Sequence, residues 1–108
     1  MANTFKSAAT GSTTDLATFY TCPAATTAVV HAIYLSNVDG TNDASVSISV
    51  SGSANFSTRR YLLKTVDVPA DSTVVIEKPI NLGAADKLET QASANDDIDV
   101  FASILEIT

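Results

Sequence analysis

The residues able to do chemistry in this chain are few and scattered. His31 is the only histidine, and it stands in the apolar run Val29-Val30-His31-Ala32-Ile33. A general base or metal ligand needs a carboxylate or a second ligand beside it. None adjoins His31, so a half-buried structural or interface histidine is the better reading. Cys22 is the only cysteine, next to Pro23, with no basic neighbour to lower its thiol pKa. A single cysteine builds neither an intrachain disulfide nor a cysteine zinc site. Serines and threonines abound, but one histidine and no Gly-x-Ser-x-Gly elbow leave a hydrolase triad without its parts. The four glycines, Gly11, Gly40, Gly52 and Gly83, form no phosphate-cradling loop. A non-enzymatic protein without a cofactor is expected.

Two acidic loops and one basic strand remain. Asp39, Asn42 and Asp43 make up the first loop; Asn95, Asp96, Asp97 and Asp99 the second. Calcium takes oxygen ligands from such loops, yet neither has EF-hand spacing, and Asp and Asn are equally ordinary turn formers. Residues 95–99 are the better calcium candidate. Three of the six basic residues fall in Arg59-Arg60-Tyr61-Leu62-Leu63-Lys64. Strict alternation places Arg60, Leu62 and Lys64 on one side and Tyr61 and Leu63 on the other. Arginine beside tyrosine is the composition of interface hot spots. Arg59, Arg60, Tyr61, Leu63 and Lys64 are therefore candidate docking residues, together with the preceding loop 52–58. A merely solvated basic strand is the competing reading.

The elements that position these residues are strands. Along residues 28–36, alternation sends Val29, His31, Ile33 and Leu35 to one side and Ala28, Val30, Ala32 and Tyr34 to the other. In the last strand Ile98, Val100, Ala102 and Ile104 oppose Phe101, Leu105 and Ile107. A monomeric antiparallel domain normally leaves one face polar. Two strands apolar on both sides predict contact with another protein, a second copy included, and add Tyr34 and Phe101 to the candidate interface. Residues 44–51 alternate cleanly, with Val46, Ile48 and Val50 inward and four serines outward. Further strands are expected over 4–9, 16–21, 59–68, 73–77 and 87–92, separated by Gly, Pro, Asn and Asp turns. No window carries a helical stripe. The expected fold is all-β, an antiparallel sandwich of seven to eight strands with Ig-like or jelly-roll connectivity, as one domain over residues 1–108.

Composition narrows the partners. At 108 residues the chain has enough length for one modest core. Only 17% of residues are charged, which argues for little solvated surface. The net charge of −6 disfavours nucleic acid and anionic membrane surfaces, both of which need clustered Lys and Arg. Residues 1–6 lack the basic start and apolar run of a signal peptide, and no apolar run is long enough for a membrane helix. Synthesis in the cytoplasm is expected, with Asn55-Phe56-Ser57 read as a turn and not a glycosylation site.

Three stretches are familiar as a group: residues 20–37, with Cys22-Pro23 opening the strand that ends Ile33-Tyr34-Leu35-Ser36-Asn37; residues 66–92, with Pro69-Ala70-Asp71-Ser72-Thr73 and Ala84-Ala85-Asp86-Lys87-Leu88; and the apolar closing strand 101–108. Their layout resembles small virion structural proteins of tailed bacteriophages. The resemblance implies a β-sandwich particle component with virion proteins as partners, such as a capsid decoration or cement protein, or a neck, tail or baseplate part. A repeated, oligomeric subunit made in a host cytoplasm and located in the virion follows from it. It carries over no catalytic or binding residue. A receptor- or carbohydrate-binding module is the alternative of a different class, but no tryptophan platform is present and Tyr20, Tyr34 and Tyr61 all fall in strands.

Overall fold

Among the residues described by the computed structural model, 2–52 and 58–108, nine strands form and no helix. They are β1 (Asn3–Ser12), β2 (Ala17–Thr21), β3 (Thr27–Asn37), β4 (Ala44–Ser51), β5 (Arg60–Val68), β6 (Thr73–Ile76), β7 (Ile80–Leu82), β8 (Lys87–Ala92) and β9 (Ile98–Ile107). Sheet A runs β1-β9-β3-β6, with β7 also on β3; sheet B runs β2-β8-β4-β5; every pairing is antiparallel. β6 and β7 follow one another along the same edge of β3, opposite residues 33–36 and 28–30. They are one strand interrupted at Glu77-Lys78-Pro79, where proline has no N–H to donate to a ladder. Counted as one, they give sheet orders 1-8-3-6 and 2-7-4-5, the doubly crossed connectivity of a jelly roll. That decides against the Ig-like alternative, and Ile80–Leu82, which lies between the strands expected over 73–77 and 87–92, raises the strand count to nine.

Each sheet turns alternate residues inward. Val30, Ile33, Leu35, Ile98, Val100 and Ile104 from sheet A meet Val46, Ile48, Val68 and Leu88 from sheet B, all of them buried. Along β3 the inward set is Ala28, Val30, Ile33, Leu35 and Asn37, which corrects the strict alternation expected there. The reason is a β-bulge: Val30 pairs with Ile104 but Ala32 with Ser103, so His31 is an extra residue. A bulge shifts the phase of everything beyond it by one residue. His31 ends up exposed and not half-buried, and the break between β6 and β7 lies opposite it.

Buried polar contacts tie the sheets together. Glu106 of β9 accepts a 2.6 Å hydrogen bond from the Tyr20 hydroxyl of β2 and an ion pair from Lys6 of β1 at 3.1 Å. The Tyr20 bond and the Lys6 charge hold the Glu106 carboxyl below its usual range, while burial and that same carboxylate push the Tyr20 phenol well up. Burial, then the Glu106 and Asp86 charges, also raise the Cys22 thiol, whose Sγ lies 3.4 Å from the Thr26 carbonyl. Ser12 and Thr90 share a buried bond at 3.0 Å. Asn37 donates through Nδ2 to the carbonyls of Asn42 and Val68 and accepts from the Asp39 N–H, each at 2.9 Å. It joins the end of β3 to the end of β5.

Candidate interaction surfaces

β9 is central to sheet A, and its register fixes what the outer face displays. Leu105 lies between Phe5 and Val29; Phe101 lies between Ala9 and Tyr34; Ser103 lies between Ser7 and Ala32. Residues directly opposite in an antiparallel pair share a face. Phe5, Val29, Leu105 and Ile107 on one side of the Ser7–Ser103–Ala32 row, and Phe101, Tyr34 and Val75 on the other, therefore make up an apolar outer face. Phe5 is 78% exposed, Tyr34 43% and Phe101 44%. Tyr34 and Phe101 pack with ring centroids 6.3 Å apart at 57°, a tilted pair within the favourable range. The structure thus brings together two residues of the predicted interface and adds Phe5, which sequence reasoning passed over. The signal was the alternation Phe5, Ser7, Ala9; what was missing was the pairing of β1 with β9.

The basic strand sits elsewhere, on the edge of sheet B. β5 is irregular: Val46 pairs with Val66, Ile48 with Leu63 and Ser49 with Tyr61, so two bulges interrupt it. Thr65, at φ 51°, marks one of them, and its N–H bonds to the Ser47 hydroxyl at 2.9 Å. Tyr61 and Leu63 consequently do not share a face. Leu63 packs against the core, while Tyr61 turns outward with the Lys64 ammonium 5.2 Å from its ring centre. Arg59 is engaged as well, its Nε 3.1 Å from Oε1 of buried Glu89, and that bond raises its pKa. Arg60 remains exposed. The five residues of this cluster and the pair on sheet A lie on different sheets. Of the loop 52–58 expected to join them in docking, residues 53–57 lie outside the described residues, as does the Asn55 turn.

Asp39 and Asp43 of the first acidic loop, and Asn95 of the second, use their side-chain oxygens on the chain itself. Asp39 accepts from the Thr41 N–H at 2.9 Å and from Asn42, contacts that lower its pKa. Asp43 accepts from the Ala70 N–H at 3.1 Å, and Asn95 from the Thr14 N–H at 2.9 Å. Among the described residues no group of three or more His, Cys, Asp or Glu side chains is placed to hold a metal ion. The geometry supports the turn-forming reading of both loops.

The two ends of the sandwich differ in charge. One end carries the turns at 13–16, 38–43, 69–72 and 93–97; the other carries those at 22–26 and 83–86 and the paired Ala2 and Thr108. Asp15, Asp39, Asp43, Asp67, Asp71, Asp96, Asp97 and Asp99 all lie at or within two residues of the first end, with no Lys or Arg among them. Arg59, Arg60 and Lys87 lie at the second, together with the buried Asp86.

No protein-family model and no curated protein matches this chain. Solved structures do. A chain from the disulfide-linked pili that form Bacillus endospore appendages aligns over 99% of this chain and 87% of its own, with TM-score 0.59 and 16% identity. A chain of the acidic stable capsid of the Helicobacter pylori bacteriophage KHP30 aligns over 100% and 89%, with TM-score 0.57 and 15% identity. At such identity the likeness is one of fold.

Proposed function

We propose that this chain is a non-enzymatic structural subunit of a virion, a decoration or cement protein seated on the capsid through the outer face of sheet A. The carrying observation is the apolar outer face around Phe5, Phe101 and Leu105. Apolar surface of this kind on a sheet face marks a protein contact, and burying it gains about 25 cal/mol per Å². The fold shared with a phage capsid chain and a pilus chain supports a repeated subunit in an ordered assembly. Short turns and little charge suit a plug repeated by the symmetry of a shell.

Two measurements test the reading. Copy number in purified particles is expected on the order of hundreds, since a shell repeats its decoration by symmetry; about a dozen or fewer would move the subunit to the neck, tail or baseplate. Phe5→Asp together with Phe101→Asp is expected to leave the fold intact and reduce particle occupancy at least about tenfold, a charged pair in a buried contact being strongly unfavourable. Normal occupancy of this variant would overturn the assignment of the face.

A further inference from the structure

β3 spans 11 residues, about 36 Å at 3.3 Å each. Of the molecule's extents, 47 × 27 × 19 Å, only the first accommodates it, so the strands run along the long axis. The charge asymmetry described above therefore acts along the full length of the molecule. Eight aspartates without a cation cap one end. At the other, Glu89 and Glu106 are neutralised by Arg59 and Lys6, Asp86 is buried in its turn with Oδ2 accepting from the Gly83 N–H at 2.8 Å, and exposed Arg60 and Lys87 form no ion pair with any described residue.

Turn chemistry alone does not produce this division. Aspartate and asparagine are the residues that best tolerate positive φ outside glycine. At the acidic end, Asp71 (φ 57°) and Asp96 (φ 63°) hold those positions. At the opposite end the same conformation falls to Ala25 (φ 56°) and Ala85 (φ 70°), which gain no such tolerance. The two left-handed positions of the basic end thus carry alanine and not aspartate, and the one aspartate of its turns, Asp86, is buried.

We infer that the molecule docks head to tail on a second copy of itself, the basic end of one against the aspartate-rich end of the next. The contact is heterologous, so it closes into a ring or extends into a row according to the rotation between copies. Its size sets its strength. A cross-section of 27 by 19 Å offers about 400 Å² per end, or roughly 800 Å² in total, below the 1,200 Å² at which stable interfaces begin. The end contact alone is weak and acts chiefly between copies already held side by side on a common support, where the effective concentration is high.

Sedimentation velocity on concentrated full-length protein tests the inference. Raising salt from about 20 to about 500 mM shortens the screening length from roughly 20 to roughly 4 Å. The apparent association constant is expected to fall at least about tenfold; a change below twofold overturns the inference. Arg60→Ala with Lys87→Ala, and separately Asp15→Asn with Asp67→Asn and Asp99→Asn, should each abolish the salt-sensitive growth. Their mixture should form dimers that grow no further, because one intact basic end meets one intact acidic end. No complementation, or growth that requires added calcium and ignores Arg60→Ala with Lys87→Ala, overturns it too. Association through sheet A would persist at high salt and respond to Phe5→Asp, so the two readings fail separately.

Discussion

Sheets A and B enclose one core and turn very different outer faces to their surroundings. On sheet B, β4 and β8 show Ser45, Ser47, Ser51, Gln91 and Lys87, with Ser49 covered between Tyr61 and Glu89 in its register, and exposed Tyr61 and Leu62 are confined to the edge strand β5. Sheet A shows Phe5, Val29, Ala32, Tyr34, Phe101, Leu105 and Ile107. A sandwich asks only for apolar residues inward and polar ones outward, and sheet B meets that demand with serine after serine. The apolar outer face of sheet A is therefore no requirement of the fold. The serine-lined face of β4 and β8 is the control within the same chain that makes this visible.

Neighbouring residues on β9 give the sharpest way to break the comparison. Ile104 is fully buried and Leu105 faces outward. Ile104→Ala is expected to cost about 3 kcal/mol of stability, within the range for truncating a core aliphatic. Leu105→Ala in the isolated protein should cost under about 1 kcal/mol, and urea unfolding of both variants gives the ratio. Equal losses would mean that the outer face belongs to the core after all.

The contact between the sheets predicts a pH profile. Glu106 has its folded pKa held below the unfolded value near 4.3, so the stability it contributes is present above that value and is lost as pH falls through the folded one. Tyr20 and Cys22 are raised, so their contributions are intact below their ordinary values near 10 and 8.5 and fade as pH climbs past them. Thermal unfolding should show a plateau between about pH 5 and pH 8 with losses on both sides. Glu106→Gln should flatten the acid arm and lower stability by about 1.5–3 kcal/mol, the worth of a hydrogen bond to a charged group.

The smallest effect belongs to sheet B. Ser45→Val places an apolar residue on its outer face and should change stability by less than about 0.5 kcal/mol in chemical denaturation. A large loss would show that the serine face is structurally constrained and not a neutral reference.

Much of this fold is legible in the residue pattern, because period-two alternation in β4 and β9 states directly which side is buried. The pattern misleads where the ladder gains a residue. A bulge at His31 changes which β3 residues point inward from Ile33 onward, and the β5 bulge at Leu62 separates Tyr61 from Leu63 despite their spacing. Bulges carry no sequence mark here, since no glycine or proline sits at either place. Connectivity was open for a similar reason, as turn residues say where the chain reverses and not which sheet it enters next. The outer face of sheet A was half visible through Tyr34 and Phe101. Phe5 needed the pairing of β1 with β9, which is a long-range contact between the two ends of the chain. The charge division along the long axis likewise appears only once the turns are assigned to opposite ends.

The interruptions that hid the register have a consequence for aggregation. Sheet edges with unpaired N–H and C=O groups template the addition of foreign strands. Among the described residues, three of the four edges are uneven: β2 changes register between Thr18 and Tyr20, β5 is bulged twice, and β6 and β7 are split around Pro79. Each gives an incoming strand only a few consecutive partners before the spacing fails. β1 alone runs regularly for ten residues. The protein at high concentration is thus shielded from random strand addition along most of its perimeter, so that faces and ends, and not backbone edges, are what it offers a neighbour.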